Sequence, residues 1–228
     1  MTHMAHYREA HPLPFVIAHW INLIAMIFLI ITGFYIHFPL FNGWMGVARG
    51  VHVFLGFILF VNCFVRIILA FFVKSSPYSG SRQQDLDYKS FAPQKDNRHQ
   101  LVPWIKFYFF FKKDHPLSAK FGALQKIAYL VVPFLIVIMF ITGMCLWPQT
   151  YGLAPFAALI EAVGGLIIMR IIHFYMMWVF IIFTFLHVYL SVIEGLEPVM
   201  LMFFRKESGG LLYGPEAHNI IGNDEMGE

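Results

Sequence analysis

The chain has 228 residues, of which 59% are hydrophobic, 18% aromatic and only 13% charged, where a soluble domain carries about a quarter charged residues. That balance excludes a soluble globular domain and indicates a polytopic α-helical membrane protein. The net charge of +3 is small and no aromatic-basic motif for RNA or DNA accompanies it, so nucleic acid is not an expected partner.

Four apolar segments, at about 15–37, 44–73, 124–147 and 166–196, exceed the roughly 20 residues that cross a bilayer. They predict an all-α fold, a four-transmembrane-helix bundle over 14–204, between tails at 1–13 and 205–228. The first span follows a polar-leaning tail without a small-residue cleavage site and reads as retained, not as a signal peptide. It carries His19 near its start. A short connection leads to the second span, which holds Arg49, His52 and Arg66. The loop 74–123 is long. Its first part has the Ser, Pro, Gly and charge content of an irregular connector. WIKFYFFFKK, at 104–113, reads as a segment lying in the membrane interface. The third span opens on Gln125 and Lys126. After an apolar connection at 148–165 comes the fourth, LIIMRIIHFYMMWVFIIFTFLHVYLSVIEGL, with Arg170, His173, His187 and Glu194.

Cations set the orientation. With the first span starting inside, thirteen Lys and Arg from Arg8 to Lys206 fall on inner segments, against Arg49 and Arg170 at outer ends. The positive-inside rule then places both termini in the cytoplasm of a cell whose inner membrane the chain crosses. Cys63 and Cys145 lie inside apolar spans, and no CxxC or CxxCH occurs. Covalent c-type haem is therefore not expected, and any iron–sulfur cluster belongs to a partner.

A histidine inside a lipid-spanning helix is costly and points to function. His173 and His187 are 187 − 173 = 14 residues apart, which is about 21 Å along a helix and within about 40° on its face. By position along the spans, His52 matches His173 at the outer level and His19 matches His187 at the inner. Each pair supplies two axial nitrogens for a non-covalent haem b, so the four are the expected iron ligands. The plain alternative is buried histidines bonded to backbone carbonyls. Arg49 and Arg170 each stand three residues before a histidine, on the same helix face. They suit the propionates of an outer haem, or they snorkel to lipid phosphates. Arg66, fourteen residues after His52, needs an anion, and an inner-haem propionate is the candidate. Ile-Thr-Gly recurs at 31–33 and 141–143, small residues that permit close approach of a helix or a macrocycle.

These stretches resemble the b-type cytochrome subunit of membrane-bound nickel–iron hydrogenases, within the di-haem cytochrome b group that includes formate dehydrogenase gamma subunits. The likeness rests on His19-Trp20-Ile21 through Ile31-Thr32-Gly33, on His52 to Arg66, and on Arg170-x-Ile172-His173 followed by Trp178, Phe180, Phe183 and His187. It departs at Val16, Ile171 and Phe174, where the family usually has an arginine, a small residue and a basic residue.

The resemblance implies a membrane anchor and electron conduit. An iron–sulfur small subunit, carrying electrons from a nickel–iron large subunit or from a sister oxidoreductase, would dock outside. Two haem b groups would pass the electrons inward to a membrane quinone. The catalytic site would lie on the partner. Gly122, Gln125 and Lys126 look similar to the quinone entrance of formate dehydrogenase gamma subunits. Glu194, seven residues after His187 and so within about 20° on the same face, could deliver the proton. The plain readings are a helix cap for Gln125, an interfacial anchor for Lys126 and a solvated Glu194. A small transporter that uses the histidines for metal or protons is the competing class.

Overall fold

The computed structural model describes residues 3–4, 11–76, 84–91, 101–113, 121–194, 197–205 and 212–213, with the backbone alone at 3–4, 194, 197–198 and 212–213. In chain order the elements are β1 (His3–Met4), α1 (Leu13–His37), α2 (Met45–Phe72), β2 (Lys74–Ser75), β3 (Asp85–Leu86), a 3-10 turn (Asp87–Phe91), α3 (Leu101–Tyr108), α4 (Ala123–Leu146), α5 (Ala154–Ala162), α6 (Leu166–Glu194), α7 (Glu197–Phe204) and β4 (Leu212–Tyr213).

Helices α1, α2, α4 and α6 are the four candidate membrane spans. Their apolar windows have mean hydropathy between 2.2 and 2.5, yet only 11% to 22% of each window is buried. Side chains that apolar, facing outward, need hydrocarbon as their solvent, and a helix satisfies its own backbone there. The chain divides into two compact units, one of residues 18–65 and 131–185, the other of 1–17, 66–130 and 186–228.

In the first unit the four spans meet on a small core of Ala25, Leu59, Cys63, Ile136 and Phe180. One polar clip joins α1 to α2: the buried Asn62 amide donates to the Ala18 carbonyl at 2.7 Å and to Asn22 Oδ1 at 2.6 Å. Such pairing is the usual fate of an amide in an apolar bundle. The connection 148–165 contains α5, nine residues long, which its apolar composition does not distinguish from a loop. It passes to α6 through Gly164 and Gly165, at φ of 99° and 105°, a backbone region that side-chain-bearing residues seldom adopt.

In the second unit the expected irregular connector carries more order than its composition announces. Strands β2 and β3 pair antiparallel, Lys74 with Leu86 and Ser75 with Asp85. Their pairing brings Asp87, fully buried, against Arg66 of α2: Nη2 to Oδ2 is 2.9 Å, and Ser75 Oγ donates to the other carboxylate oxygen at 2.7 Å. The guanidinium also lies 3.8 Å from the ring centre of Phe15, within cation–π range. At the surface, Lys89 bonds Asp85 at 2.8 Å. That bond holds the Asp85 carboxyl below its ordinary range and the Lys89 ammonium above its own, but both are exposed and add little to stability. Helix α3 buries Trp104 and Tyr108, and Trp104 packs on Gly122, whose Cβ would stand 3.4 Å from the indole. Phe109, Phe110 and Phe111 follow it, all exposed and next to Lys112 and Lys113, the composition of a segment seated at a membrane surface. The fourth span ends at Glu194, two residues short of the expected boundary, and α7 follows it. Strands β1 and β4 pair, joining the two tails.

Breaking a buried ion pair from one side leaves the other charge uncompensated, at a cost of about 3–5 kcal/mol. Asp87→Ala should therefore lower the thermal midpoint of the protein in detergent. The double replacement Arg66→Met with Asp87→Leu should recover part of that loss. Equal loss in the single and double variants would mean that the pair does not act as a unit.

Candidate functional site

Two histidines of different helices face each other in the first unit. His52 stands 52 − 45 = 7 residues into α2 and His173 stands 173 − 166 = 7 residues into α6. Their ring centres are 6.2 Å apart with planes at 64°. Two imidazole nitrogens sharing one metal at about 2 Å each put their ring centres about 6 Å apart. The observed separation thus fits a six-coordinate iron between the rings. Among the described residues no cluster of three or more His, Cys, Asp or Glu is arranged for a bare metal ion. A facing pair suits an iron that brings four equatorial nitrogens of its own, as haem does.

Each ring is held from the neighbouring span in the same way. Thr32 Oγ1 of α1 lies 2.9 Å from His52 Nδ1, and Thr142 Oγ1 of α4 lies 2.8 Å from His173 Nδ1. The glycine after each threonine lets the ring come close. A Cβ on Gly33 would stand 3.4 Å from His52 Cε1, and one on Gly143 would stand 3.4 Å from His173 Cε1. The repeated Ile-Thr-Gly is therefore a seat for a histidine ring. From the sequence its small residues suggest close approach alone; the role of the threonines is added by the structure. The signal was the recurrence of a hydroxyl in two spans that each precede a histidine-bearing span.

Arg49 and Arg170 keep the same register as the histidines, 49 − 45 = 4 and 170 − 166 = 4 residues into their helices. Both are exposed, and neither makes an ion pair among the described residues. His37, exposed at the end of α1, stacks on Phe174 with 4.1 Å between ring centres. An aromatic face thus covers the residue next to His173.

His19 lies near the start of α1 and His187 near the end of α6, each within its own helix as expected and each engaged in further contacts. For Arg66 the sequence offers a haem propionate as counter-ion. In the structure Arg66 pairs with Asp87, a carboxylate of the chain itself, from the 3-10 turn that follows the β2–β3 pair. Gln125 takes the capping role among its alternatives, its Oε1 accepting from the Gly122 N–H at 2.9 Å, one half of a capping box at the start of α4. Lys126 lies on the same first turn, half-buried. The Glu194 side chain, most of the 115–121 stretch before α4, and His99, His115 and His218 lie outside the described residues.

Residues 10–205 match the prokaryotic cytochrome b561 family, and the chain belongs to it. Among curated proteins none matches. Membership makes the chain a multi-pass membrane b-type cytochrome, with haem b as its cofactor and electron transfer as its task.

The seat is tight enough to test by volume. Gly143→Leu should displace the His173 ring and broaden or lower the haem b α-band, while Gly143→Ala, which asks the ring to give by only a few tenths of an ångström, should leave most of it. An unaltered band in the leucine variant would mean that the ring does not need this contact.

Proposed function

We propose that this cytochrome carries electrons from a periplasmic nickel–iron hydrogenase, through the hydrogenase's iron–sulfur subunit, to quinone in the inner membrane. Two haem b groups form the path, the outer one ligated by His52 and His173 and the inner one by His19 and His187. The observation that carries the reading is the facing pair of imidazoles 6.2 Å apart at equal register in two spans. For the inner pair, support comes from position along the helices: His19 is 19 − 13 = 6 residues into α1 and His187 is 194 − 187 = 7 residues before the end of α6. For the hydrogenase, it comes from the likeness of the His19–Gly33 and Arg170–His187 stretches to that subunit. The excess of cations on inner segments supports cytoplasmic termini.

Haem b, when bound, supplies one-electron exchange at its iron. The chain supplies the rest. Four imidazoles fix the iron sites within three helices. Arg49 and Arg170, on the same helix faces as the outer ligands, would hold the propionates by charge-assisted hydrogen bonds and would favour the reduced state by their charge. Towards the cytoplasmic end, the start of α4 at Gly122–Lys126 and the end of α6 at Glu194 frame the quinone. Gln125 fixes that entrance through its cap, Lys126 offers a hydrogen-bond donor, and Glu194 passes a proton from the cytoplasm. Taking electrons from outside and protons from inside separates charge across the membrane.

Wild-type protein should contain two haems per chain. His52→Ala or His173→Ala should remove one and spare the other, and His19→Ala or His187→Ala should remove the second. Full haem content in any of the four would overturn the ligand set. In membranes, hydrogen should reduce both haems through a co-purifying nickel–iron enzyme; reduction by formate alone would move the chain to the sister complex.

Arg49→Gln and Arg170→Gln should each lower the outer midpoint potential by roughly 30–60 mV, about a threefold to tenfold change in a one-electron equilibrium. The inner potential should scarcely move. An unchanged outer potential in both variants would assign these arginines to lipid phosphates.

A further inference from the structure

We infer that Thr32 and Thr142 are positioning residues that set the tautomer, the ring plane and the donor strength of His52 and His173. The inference rests on the reading of those histidines as axial ligands. A threonine hydroxyl has one proton to give. Thr32 Oγ1 lies 2.7 Å from the Phe28 carbonyl oxygen and 3.2 Å from that of Leu29. Thr142 Oγ1 lies 3.0 Å from the Met139 carbonyl oxygen. Carbonyls one turn back are the usual acceptors for threonine on a helix. With its proton spent there, each hydroxyl turns a lone pair to the histidine, at 2.9 Å for His52 and 2.8 Å for His173. Nδ1 must then carry the ring proton, since the other tautomer would press two lone pairs together at that distance. Nε2 is left with its own lone pair, the form that binds a metal.

The same contact sets geometry and electronics. A hydrogen bond on Nδ1 and a glycine beside Cε1 stop each ring from turning about its Nε2 axis, which keeps the two planes at 64°. Accepting from Nδ1–H also raises the basicity of the ligand. A more basic ligand stabilises the more highly charged ferric state, so the two hydroxyls lower the haem potential. Their action opposes that of Arg49 and Arg170. The device is built twice: α1 serves α2, and α4 serves α6, through the same Thr-Gly pair.

The test compares Thr32 and Thr142 replaced by Val, which keeps the shape and removes the hydroxyl, with the same positions replaced by Ser, which keeps the hydroxyl. The readouts are the midpoint potential and the low-temperature electron paramagnetic resonance of the purified, haem-loaded protein. Crossed ligand planes give a highly anisotropic low-spin ferric signal. Each Val variant should raise the potential of one haem, by up to about tenfold in the one-electron equilibrium, ~59 mV, and reduce the anisotropy of its signal. Ser should restore both. Loss of that haem in the Val variants but not in the Ser variants would also support the role. Wild-type potential and spectrum in both Val variants, or equal behaviour of Val and Ser including equal loss of haem, would overturn it. The histidine variants separate the two levels: if His52→Ala and His173→Ala keep full haem content, the ligand reading has failed, and if they lose one haem while the Val variants are silent, only the threonine inference has.

Discussion

An imidazole inside an apolar helix bundle carries a ring N–H that water cannot reach, and that donor must find an acceptor in the protein. The arrangement around His52 and His173 follows from this requirement. The nearest span provides a threonine, whose own proton returns to its helix backbone, and the ring N–H takes the freed lone pair. Glycine at the next position brings the ring within reach of that oxygen. The two rings held in this way stand 6.2 Å apart between their centres. A contact that satisfies a polar group inside the bundle thereby also fixes the ring.

Different physics governs the Arg66 cluster. A guanidinium cannot shed its charge, so its surroundings must supply an anion and a face to stack on. Asp87 supplies the first and Phe15 the second, with Ser75 bonding the remaining carboxylate oxygen. The carboxylate comes from a connector and not from a span, and this explains the order of the short β2–β3 ladder in a segment whose composition suggests an irregular loop. A cation near the end of a membrane helix thus organises the chain that follows it.

Electrostatics and hydrogen bonding act in opposite senses on the proposed outer haem. Exposed arginines one turn from each ligand favour the ferrous state, and hydroxyls bonded to the ligands favour the ferric. A cytochrome that accepts electrons from one partner and passes them to another needs a potential between those of donor and acceptor. Opposed contributions from separate residues allow that value to be adjusted without altering the ligands.

Much of the fold is fixed by the order of residues alone. In hydrocarbon the backbone has to satisfy itself, so four apolar runs of sufficient length become four helices, and the bounds found at Leu13–His37, Met45–Phe72, Ala123–Leu146 and Leu166–Glu194 lie within a few residues of those expected. The proximity of His52 and His173 was legible for a related reason: a histidine in such a run is costly, and equal register along two helices pairs these two. Which side chains meet across helices was decided only by tertiary structure. The partner of Arg66 comes from a turn twenty-one residues further on, and no periodicity reports it. The threonine seats depend on the rotation of each helix about its axis, which apolar runs with little polar contrast leave open. Helix α5 needed its neighbours as well, because its composition is that of the loop around it. Sequence determines what must be buried in lipid and what is costly there; packing alone determines which group satisfies each of the costly ones.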